Sequence, residues 1–255
     1  MSPCAQKVRI VLAEKGLDWT AHHVNLQEKE NLRPAYLKLN PLGVVPTLVH
    51  DGRPLIESSI ICEYLEDTFP QGPRLEVEDT YQRAKMRFWM KHVDVKLHPS
   101  CGTLQWPMVM RDAIMAKPEE ERAAILEKIP EKPRRERQKR LVKFGLDAPD
   151  VRDAVRTYRK TIKDMETALG ENEWVVSSHF SLADVCLAPY FQTLVQFSWT
   201  ALYDQDCPLV TSWVARCQQR PSFQSAVADD FSDELIATLQ AKGSAMWDKI
   251  AAHLE

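Results

Sequence analysis

The sequence lacks the features that mark several large classes of protein. Its six cysteines are scattered among 255 residues, with no C-x-x-C pair and no histidine partner at the spacing of metal ligands. This pattern predicts free thiols in a reducing compartment and favours neither a disulfide framework nor a metal site. No apolar run is long enough to cross a bilayer, and the opening MSPCAQKVRIVLAEKG carries charges through its apolar part, unlike a secretory signal. We therefore expect a cytoplasmic protein without membrane contact.

The chain also has no large excess of positive or negative charge. The net charge is −3 and the sequence pI about 6.2, so the composition indicates no nucleic-acid partner. One basic run, KPRRERQKRLVK at residues 132–143, follows the acidic residues 119–121. Mixed charge blocks of this kind usually form the solvated face of a helix, and we predict that here.

Residues 1–72 mix helix and strand signals. Apolar residues between Cys4 and Lys15 recur at helical spacing, and Gly16 suits the position just past the end of that helix. The pair Asp51-Gly52 is typical of a hairpin turn. The predicted elements are a helix at 4–15, a strand at 19–25, a short helix at 31–39, strands at 47–49 and 54–56, and a helix that opens at 57–59 and ends before residue 70.

Strand signals disappear in the rest of the chain. Long helical patterns cover residues 81–97, 151–169, 182–194 and 210–219. We therefore predict an α/β domain at residues 1–72 and an all-helical domain at residues 78–255. A charged insertion at about 113–149 is interrupted by prolines, and it is either a set of broken helices on the surface or a partly mobile lid.

The segment Ser2-Pro3-Cys4 opens the first predicted helix. Serine is a good N-cap and proline fits the first turn, so one interpretation is capping alone. The other interpretation is chemical, because a helix N-terminus attracts anions and stabilises a thiolate placed there. A hydroxyl that donates to the sulfur would stabilise the thiolate further.

Two later segments also allow either a structural or a ligand-binding interpretation. The Val45-Pro46 step is a candidate for a cis peptide that leaves the neighbouring backbone groups free to pair with an extended peptide, or else it is an edge-strand proline. Glu57 and Ser58 open a helix, where they either cap it or hold an ammonium and a carboxylate. Ser181 and Asp184 form a variant of the capping box, for which we favour a structural role.

Together these segments resemble the cytosolic glutathione transferases. The resemblance rests on SPCAQKVRI from residue 2, NPLGVVPTL from residue 40, ESSIICEYL from residue 57 and FSLADV from residue 180. It implies a thioredoxin-like α/β N-terminal domain that binds glutathione as co-substrate, followed by an all-α helical-bundle domain that shapes the site of a hydrophobic electrophile. It also implies a homodimer and a role in detoxification or aromatic compound metabolism.

The resemblance assigns roles to individual residues. Ser2 donates to the glutathione sulfur, and Cys4 is a nearby auxiliary group or a bystander. Ser181 and Asp184 match a folding-related motif of the family. The glutathione contacts implied elsewhere are the backbone of Val45 ahead of Pro46, the side chains of Glu57 and Ser58, and, less directly, a basic residue near Lys38 or His22.

The acceptor side is predicted from a looser resemblance to bacterial β-aryl-etherases, which use glutathione to displace an aryloxy group. The long insertion and residues 61–70 carry this resemblance. The insertion is a candidate for closing over the acceptor. Residues that either line an apolar acceptor pocket or pack in the core are Trp89, Met90, Leu104, Trp106, Met108 and Met110.

One feature departs from the family pattern. Members have a β-strand before the serine segment, whereas only Met1 precedes Ser2 here, so the first strand is expected to be missing. Two alternatives to a transferase remain at this point. One is a catalytically silent binding or assembly protein, and the other is a thiol-disulfide reductase with Cys4 as nucleophile, which the absence of a C-x-x-C pair disfavours.

Overall fold

A computed structural model describes residues 2–254, so the predicted domain limits at residues 1 and 255 lie outside it. In its first part, three helices and one 3₁₀ turn accompany a two-stranded sheet. These elements are α1 (Pro3–Glu14), the 3₁₀ turn (Glu30–Leu32), α2 (Pro34–Leu37), β1 (Leu48–His50), β2 (Arg53–Leu55) and α3 (Ser58–Thr68).

The hairpin of β1 and β2 confirms the turn prediction. The strands are antiparallel, with Leu48 opposite Leu55. Asp51 and Gly52 have φ angles of 51° and 74°, as a tight two-residue hairpin turn requires at both central positions. Gly16, just past α1, also has a positive φ of 61°, as expected for the residue that ends a helix.

The strand predicted at residues 19–25 is wrong. Residues 17–25 have no regular secondary structure. The alternation of apolar and polar residues is present, but residues 18–24 make no backbone hydrogen bond to any other residue in the part of the chain that the structure describes. Because a strand is defined by its pairing, the pattern alone could not produce one.

The rest of the chain is helical, as predicted. The helix predicted at 81–97 continues through a π-helical segment into the next helix without a break, and the other three long helices lie where expected. The helices are α4 (Thr80–His92), the π segment (Val93–Leu97), α5 (His98–Val109), α6 (Arg111–Met115), α7 (Glu119–Glu127), α8 (Lys132–Phe144), α9 (Asp150–Glu171), α10 (Leu182–Gln196), α11 (Pro208–Gln218), α12 (Pro221–Ala226), α13 (Asp233–Ala245) and α14 (Trp247–Ala251).

The helix α10 lies at the centre of the molecule. Nearly all of its side chains are buried, because α1, α4, α5, α11 and α13 pack around it. The helix α1 also packs on α3 and α12, so one hydrophobic core runs through both the mixed part and the helical part. The N-terminus of α1 is therefore fixed against the helical part of the molecule.

The start of α10 confirms the capping box. The Oδ2 atom of Asp184 accepts hydrogen bonds from the backbone N of Ser181 at 3.0 Å and from its hydroxyl at 2.9 Å. Its Oδ1 atom accepts from the backbone N of Val175 at 3.0 Å and from Nε1 of Trp213 at 2.8 Å. Burial raises the pKa of Asp184, which these four donors partly oppose. The motif joins three separate segments in the core.

The charged insertion consists of helices, as the first of its two interpretations predicted. Its prolines do not interrupt these helices. Pro118 is the N-cap residue of α7, and Pro133 lies in the first turn of α8, where proline is tolerated. A small hydrophobic cluster, separate from the main core, holds α6, α7 and α8 together. The cluster comprises Ile114, Leu126, Ile129 and Val142, with Trp106 of α5 against it.

Candidate active site

The N-terminus of α1 presents a hydroxyl, that of Ser2, which has no hydrogen-bond partner in the part of the chain that the structure describes. Ser2 is the N-cap residue, with extended backbone angles of −87° and 123°, and its side chain makes no capping hydrogen bond. Its carbonyl accepts the backbone N–H groups of Ala5 and Gln6 at 3.0 and 3.1 Å. Capping by the side chain, the first of the two interpretations of this segment, is therefore absent, and the hydroxyl is available to a ligand at the positive end of the helix.

Cys4, in the first turn of α1, faces the helical part of the molecule. Its Sγ atom lies 3.5 Å from Nδ1 of His98, at the start of α5, and 3.5 Å from the hydroxyl of Tyr190, in α10. Nδ1 of His98 and the hydroxyl of Tyr190 are themselves 3.2 Å apart. Cys4 is half-buried and His98 is exposed, so this cluster opens to solvent.

The cluster favours the ionised form of the thiol. Burial, the largest single effect, raises the pKa of Cys4, and the charge and hydrogen bond of His98 lower it. The charge of Lys7 and the hydroxyl of Tyr190 act in the same direction, and the resulting pKa is about 6. Burial lowers the pKa of His98, while the neighbouring Cys4 raises it above its usual value overall. Cys4 and His98 therefore each favour the charged form of the other, the thiolate and the imidazolium.

A buried lysine lies behind this pair. Lys7 is 0% exposed, and its Nζ donates to Oγ of Ser59 at 3.0 Å and to Oδ1 of Asp94 at 2.9 Å. Ser59 also donates to Asp94, at 2.9 Å. Burial lowers the pKa of Lys7, but the surrounding thiols, Cys186 first, and Asp94 raise it above its usual value. Lys7 is therefore a fixed positive charge that joins α1 to α3 and to the π segment.

The predicted cis peptide is present between Val45 and Pro46. The loop before it is held by two donors to the carbonyl of Val44, the hydroxyl of Tyr36 at 2.7 Å and Nδ2 of Asn40 at 2.8 Å. Within residues 2–254 the backbone N–H and C=O of Val45 have no hydrogen-bond partner, although the residue is half-buried. These groups can therefore pair with an extended ligand.

Glu57 and Ser58 lie at the start of α3. Glu57 has a φ of 68° and a ψ of 105°, an unusual conformation for a residue other than glycine. Its exposed carboxylate has no hydrogen-bond or ion-pair partner among the described residues, and the Ser58 hydroxyl has none either. Capping by the Glu57 side chain is absent. The free N–H groups of the first turn of α3 complete a site with one carboxylate and several donors.

The two basic candidates are both exposed side chains. Lys38 is the C-cap residue of α2 and is exposed, and His22 is exposed in the irregular segment after α1. In the described part of the chain neither forms a hydrogen bond or ion pair with Ser2, Cys4 or Glu57.

Most acceptor-pocket candidates lie in the main core. Leu104 is 1% exposed, and Trp89, Met90 and Met108 are also buried. Trp106 and Met110 are half-buried, and Trp106 packs against both the main core and the insertion cluster. Burial leaves the first four with little surface for a ligand, as the core interpretation of these residues requires.

Three members of the site were not singled out from the sequence. His98 and Tyr190 are 94 and 186 positions away from Cys4, and no local pattern connects them. Lys7 was visible only as one of the polar residues of α1. The position of this lysine among apolar neighbours in an amphipathic helix could have indicated that it is buried. The sequence pattern does not predict that Asp94 is its ion-pair partner.

Comparison with known proteins identifies the family. The family model for the glutathione S-transferase N-terminal domain matches residues 1–68, and the model for the C-terminal domain matches residues 105–221. The chain belongs to the glutathione S-transferase family. Its fold is accordingly a thioredoxin-like N-terminal domain followed by an all-helical C-terminal domain, and its co-substrate is glutathione.

Several relatives match over most of their length. Protein LigF of Sphingobium sp. (strain NBRC 103272 / SYK-6) is 28% identical, over 88% of this chain and 89% of the relative. Glutathione S-transferase U22 of Arabidopsis thaliana is 26% identical, over 92% of this chain and 89% of the relative. The crystal structure of the β-etherase LigF from Sphingobium sp. strain SYK-6 superposes with a TM-score of 0.81, at 27% identity, over 89% of this chain and 96% of that one.

A solved plant structure shows the same fold at lower identity. Glutathione transferase F7 of Populus trichocarpa has a TM-score of 0.71 at 22% identity, over 91% of this chain and 96% of that one. Of the helices in residues 2–254, none combines the length and apolarity needed to span a bilayer. The same residues contain no cluster of side chains suited to a metal ion.

Proposed function

We propose that this glutathione transferase activates the glutathione thiolate at Ser2 for attack on a hydrophobic, aromatic electrophile, and that aryl ethers are among its substrates. The observation that carries the proposal is the hydroxyl of Ser2 at the N-terminus of α1, which makes no capping hydrogen bond and has no partner among residues 2–254. A thiolate placed there receives a hydrogen bond from the hydroxyl and the favourable field of the helix. Both effects lower the pKa of the bound thiol and raise its reactive fraction.

The unpartnered groups nearby fit the rest of the tripeptide. The backbone of Val45 would pair with the cysteinyl residue of glutathione in the manner of a strand. Glu57 would hold the γ-glutamyl ammonium, and Ser58 with the N-terminus of α3 would hold its carboxylate. Lys38 would meet the glycyl carboxylate only after its side chain reorients from solvent.

The reaction is a displacement at carbon. The glutathione sulfur forms a bond to the electrophilic carbon, and the bond from that carbon to the halide or aryloxy group breaks with its electron pair. The chain contributes thiolate activation and alignment of the two reactants. Support for an aryloxy leaving group comes from the similarity to LigF, whose solved structure is described as a β-etherase.

We also propose that the active form is a homodimer. The exposed apolar side chains of β1, α3 and α4 supply a candidate interface. These elements adjoin one another, because His50 contacts the hydroxyl of Tyr64 at 2.6 Å and Arg87 pairs with Glu63 at 2.6 Å. The apolar residues of this surface are Val49, Ile60, Tyr81 and Phe88.

A substitution at Ser2 tests the proposed activation. Ser2→Ala should lower kcat/KM about 100-fold with a chromogenic aryl halide and with a β-aryl ether, because one donor to the reacting anion is lost. Thermal stabilisation by glutathione should persist. The matched control is Ser232→Ala, which removes the N-cap of α13, outside the site, and should leave turnover unchanged.

Three results bear on the proposal. Full activity of Ser2→Ala would refute a role for this hydroxyl. Stabilisation by glutathione without turnover in the natural chain would favour the binding-protein alternative. Turnover of the aryl halide but not of the aryl ether would keep the transferase and remove the ether from its substrates.

A further inference from the structure

The two ring nitrogens of His98 differ in their surroundings. Nδ1 lies 3.5 Å from Sγ of Cys4 and 3.2 Å from the hydroxyl of Tyr190. Nε2 lies 4.0 Å from the same sulfur and has no other hydrogen-bond partner among the residues that the structure describes. Because the side chain is exposed, a proton on Nε2 is available to a bound substrate.

His98 borders the position proposed for the glutathione sulfur. Cys4 follows Ser2 by two residues, in the first turn of α1, and His98 begins α5 in the helical part of the molecule. The ring that contacts Cys4 therefore lies where the first turn of α1 meets the helical part. A substrate that the thiolate attacks from the helical side would have the imidazole beside it.

The charges around His98 favour its protonated form. The titratable groups that act on it are Cys4 and Lys7 of α1, Asp94 of the π segment and Tyr190 of α10. Burial lowers the pKa of His98, but the charge and hydrogen bond of Cys4 raise it above its ordinary value overall; the charge of Lys7 opposes this effect and that of Asp94 supports it. Burial raises the pKa of Tyr190, so its hydroxyl stays protonated. His98 therefore keeps its proton to a higher pH than a free histidine does.

The two proposed leaving groups differ in their need for a proton. A halide leaves as a weak base. A phenol has a pKa of about 10, so an aryloxide is a much stronger base, and its departure is favoured when an acid protonates the oxygen. In the mechanism proposed above, Ser2 donates to the sulfur, and no group has yet been assigned to the leaving oxygen. An acid on the helical side of the reacting carbon would complete the ether reaction.

We propose that His98 is the general acid of aryl-ether cleavage, which donates the Nε2 proton to the leaving oxygen, and that Cys4 is a positioning residue that holds Nδ1–H. This proposal rests on the proposed function, because the reaction that His98 assists is the proposed ether cleavage. The glutathione sulfur forms its bond to carbon, the carbon–oxygen bond breaks with its electron pair on oxygen, and that pair takes the Nε2 proton. A phenol leaves, and the neutral ring regains a proton from solvent.

An anion at Nδ1 determines which nitrogen acts as the acid. Sγ of Cys4 accepts from Nδ1–H, so the proton that remains after the transfer stays on Nδ1, and Nε2 exchanges its proton with the substrate. In the serine hydrolase triad a carboxylate holds the catalytic imidazole in the same way. The ionised thiol of Cys4 thus has a role that requires no covalent chemistry at its sulfur.

The experiment compares two β-aryl ethers that differ only in the leaving phenol, unsubstituted or p-nitro-substituted, with an aryl halide. His98→Gln should lower kcat/KM about 100-fold for the unsubstituted ether, because its leaving group most needs the proton. The loss should be smaller for the p-nitrophenyl ether, whose phenoxide is a weaker base, and smallest for the halide. Thermal stabilisation by glutathione confirms that the variant is folded and binds its co-substrate.

The pH profile, measured over about pH 5–9, gives a second readout that loss of folding would not imitate. With the unsubstituted ether, the natural chain should show a descending limb above about pH 6.5 as His98 loses its proton, and the aryl halide should show none. His98→Gln should abolish this limb. Cys4→Ala should move it to lower pH, because Cys4 raises the pKa of His98. The control His179→Gln, at an exposed histidine that contacts Ser177, should leave both profiles unchanged.

The outcomes separate this proposal from the transferase activity. Equal losses for all three substrates in His98→Gln, or a descending limb that survives this substitution, would overturn the acid role and leave the transferase intact. Conjugation of the halide without ether cleavage by the natural chain would have the same meaning. Inactivity toward all three substrates would refute the transferase mechanism and the acid role together. An unmoved limb in Cys4→Ala would overturn the positioning role of Cys4 alone.

Discussion

Removal of either partner of the ion pair between the buried Lys7 and the partly exposed Asp94 should destabilise the protein, but by unequal amounts. Lys7 is 0% exposed, whereas the side chain of Asp94 is 35% exposed. Asp94→Ala leaves a fully buried ammonium whose remaining hydrogen-bond partner among the described residues is Ser59. The loss of unfolding free energy should be about 3–5 kcal/mol, as when one partner of a buried ion pair is removed. Lys7→Met leaves a carboxylate that water reaches and that keeps the Ser59 donor, so about 1–3 kcal/mol is expected.

Thermal and urea denaturation of the two variants measure this difference. At about 2–4 °C of Tm per kcal/mol for a chain of this size, Asp94→Ala should lower Tm by about 6–20 °C and Lys7→Met by about 2–12 °C. The order of the two is the informative result. The double variant should cost less than the sum, because the second substitution removes a charge that the first left uncompensated.

A separate readout links the pair to the active site. The charge of Lys7 lowers the pKa of Cys4, so Lys7→Met should raise the pH midpoint of Cys4 alkylation above its value of about 6. If Lys7→Met proved as destabilising as Asp94→Ala, or if the two losses simply added, the reasoning from burial would be refuted. An unchanged alkylation midpoint would refute the electrostatic link alone.

Two further predictions concern folding and assembly. Asp184→Ala should lower the free energy of unfolding by at least about 3 kcal/mol, because buried donors on Ser181, Val175 and Trp213 lose their acceptor, and Asp184→Asn should lower it less. Urea denaturation measures both values. An Asp184→Ala variant as stable as the natural chain would contradict the prediction. Phe88→Glu, at a side chain 69% exposed on the proposed dimer face, should convert a dimer to a monomer in light scattering, and a dimer that survives would place the interface elsewhere.

Local signals predicted the local structure well. The Asp51-Gly52 turn, the glycine after α1 and the capping box at α10 each depend on residues within a few positions of one another, so the sequence contains all of their geometry. The segment at 19–25 shows the limit of such reasoning. Its alternation is typical of a strand, but a strand also needs a partner, and the sequence pattern does not specify one.

In the candidate site, too, residues in contiguous motifs could be predicted from the sequence, and residues brought together by tertiary packing could not. Ser2, Val45 and Glu57 were identified because they lie in contiguous motifs, and their roles stay predictions. The partners of Cys4 come from helices far along the chain, so their identity depends on how α1, α5 and α10 pack. Helical spacing likewise could not show whether Leu104 lines a ligand pocket or packs in the core, because both positions require an apolar side chain on the inner face of the helix.

The insertion has a hydrophobic cluster of its own, and this has a consequence for how the enzyme can diversify. The four residues of this cluster pack mainly against one another, and none of them belongs to the main core. They are Ile114, Leu126, Ile129 and Val142. Among the described residues, Trp106 packs against both this cluster and the main core, and Leu141 and Leu146 of the insertion belong to the main core itself. Natural or laboratory evolution could therefore vary the four residues of the cluster together, while Leu141 and Leu146 keep the insertion attached to the main core.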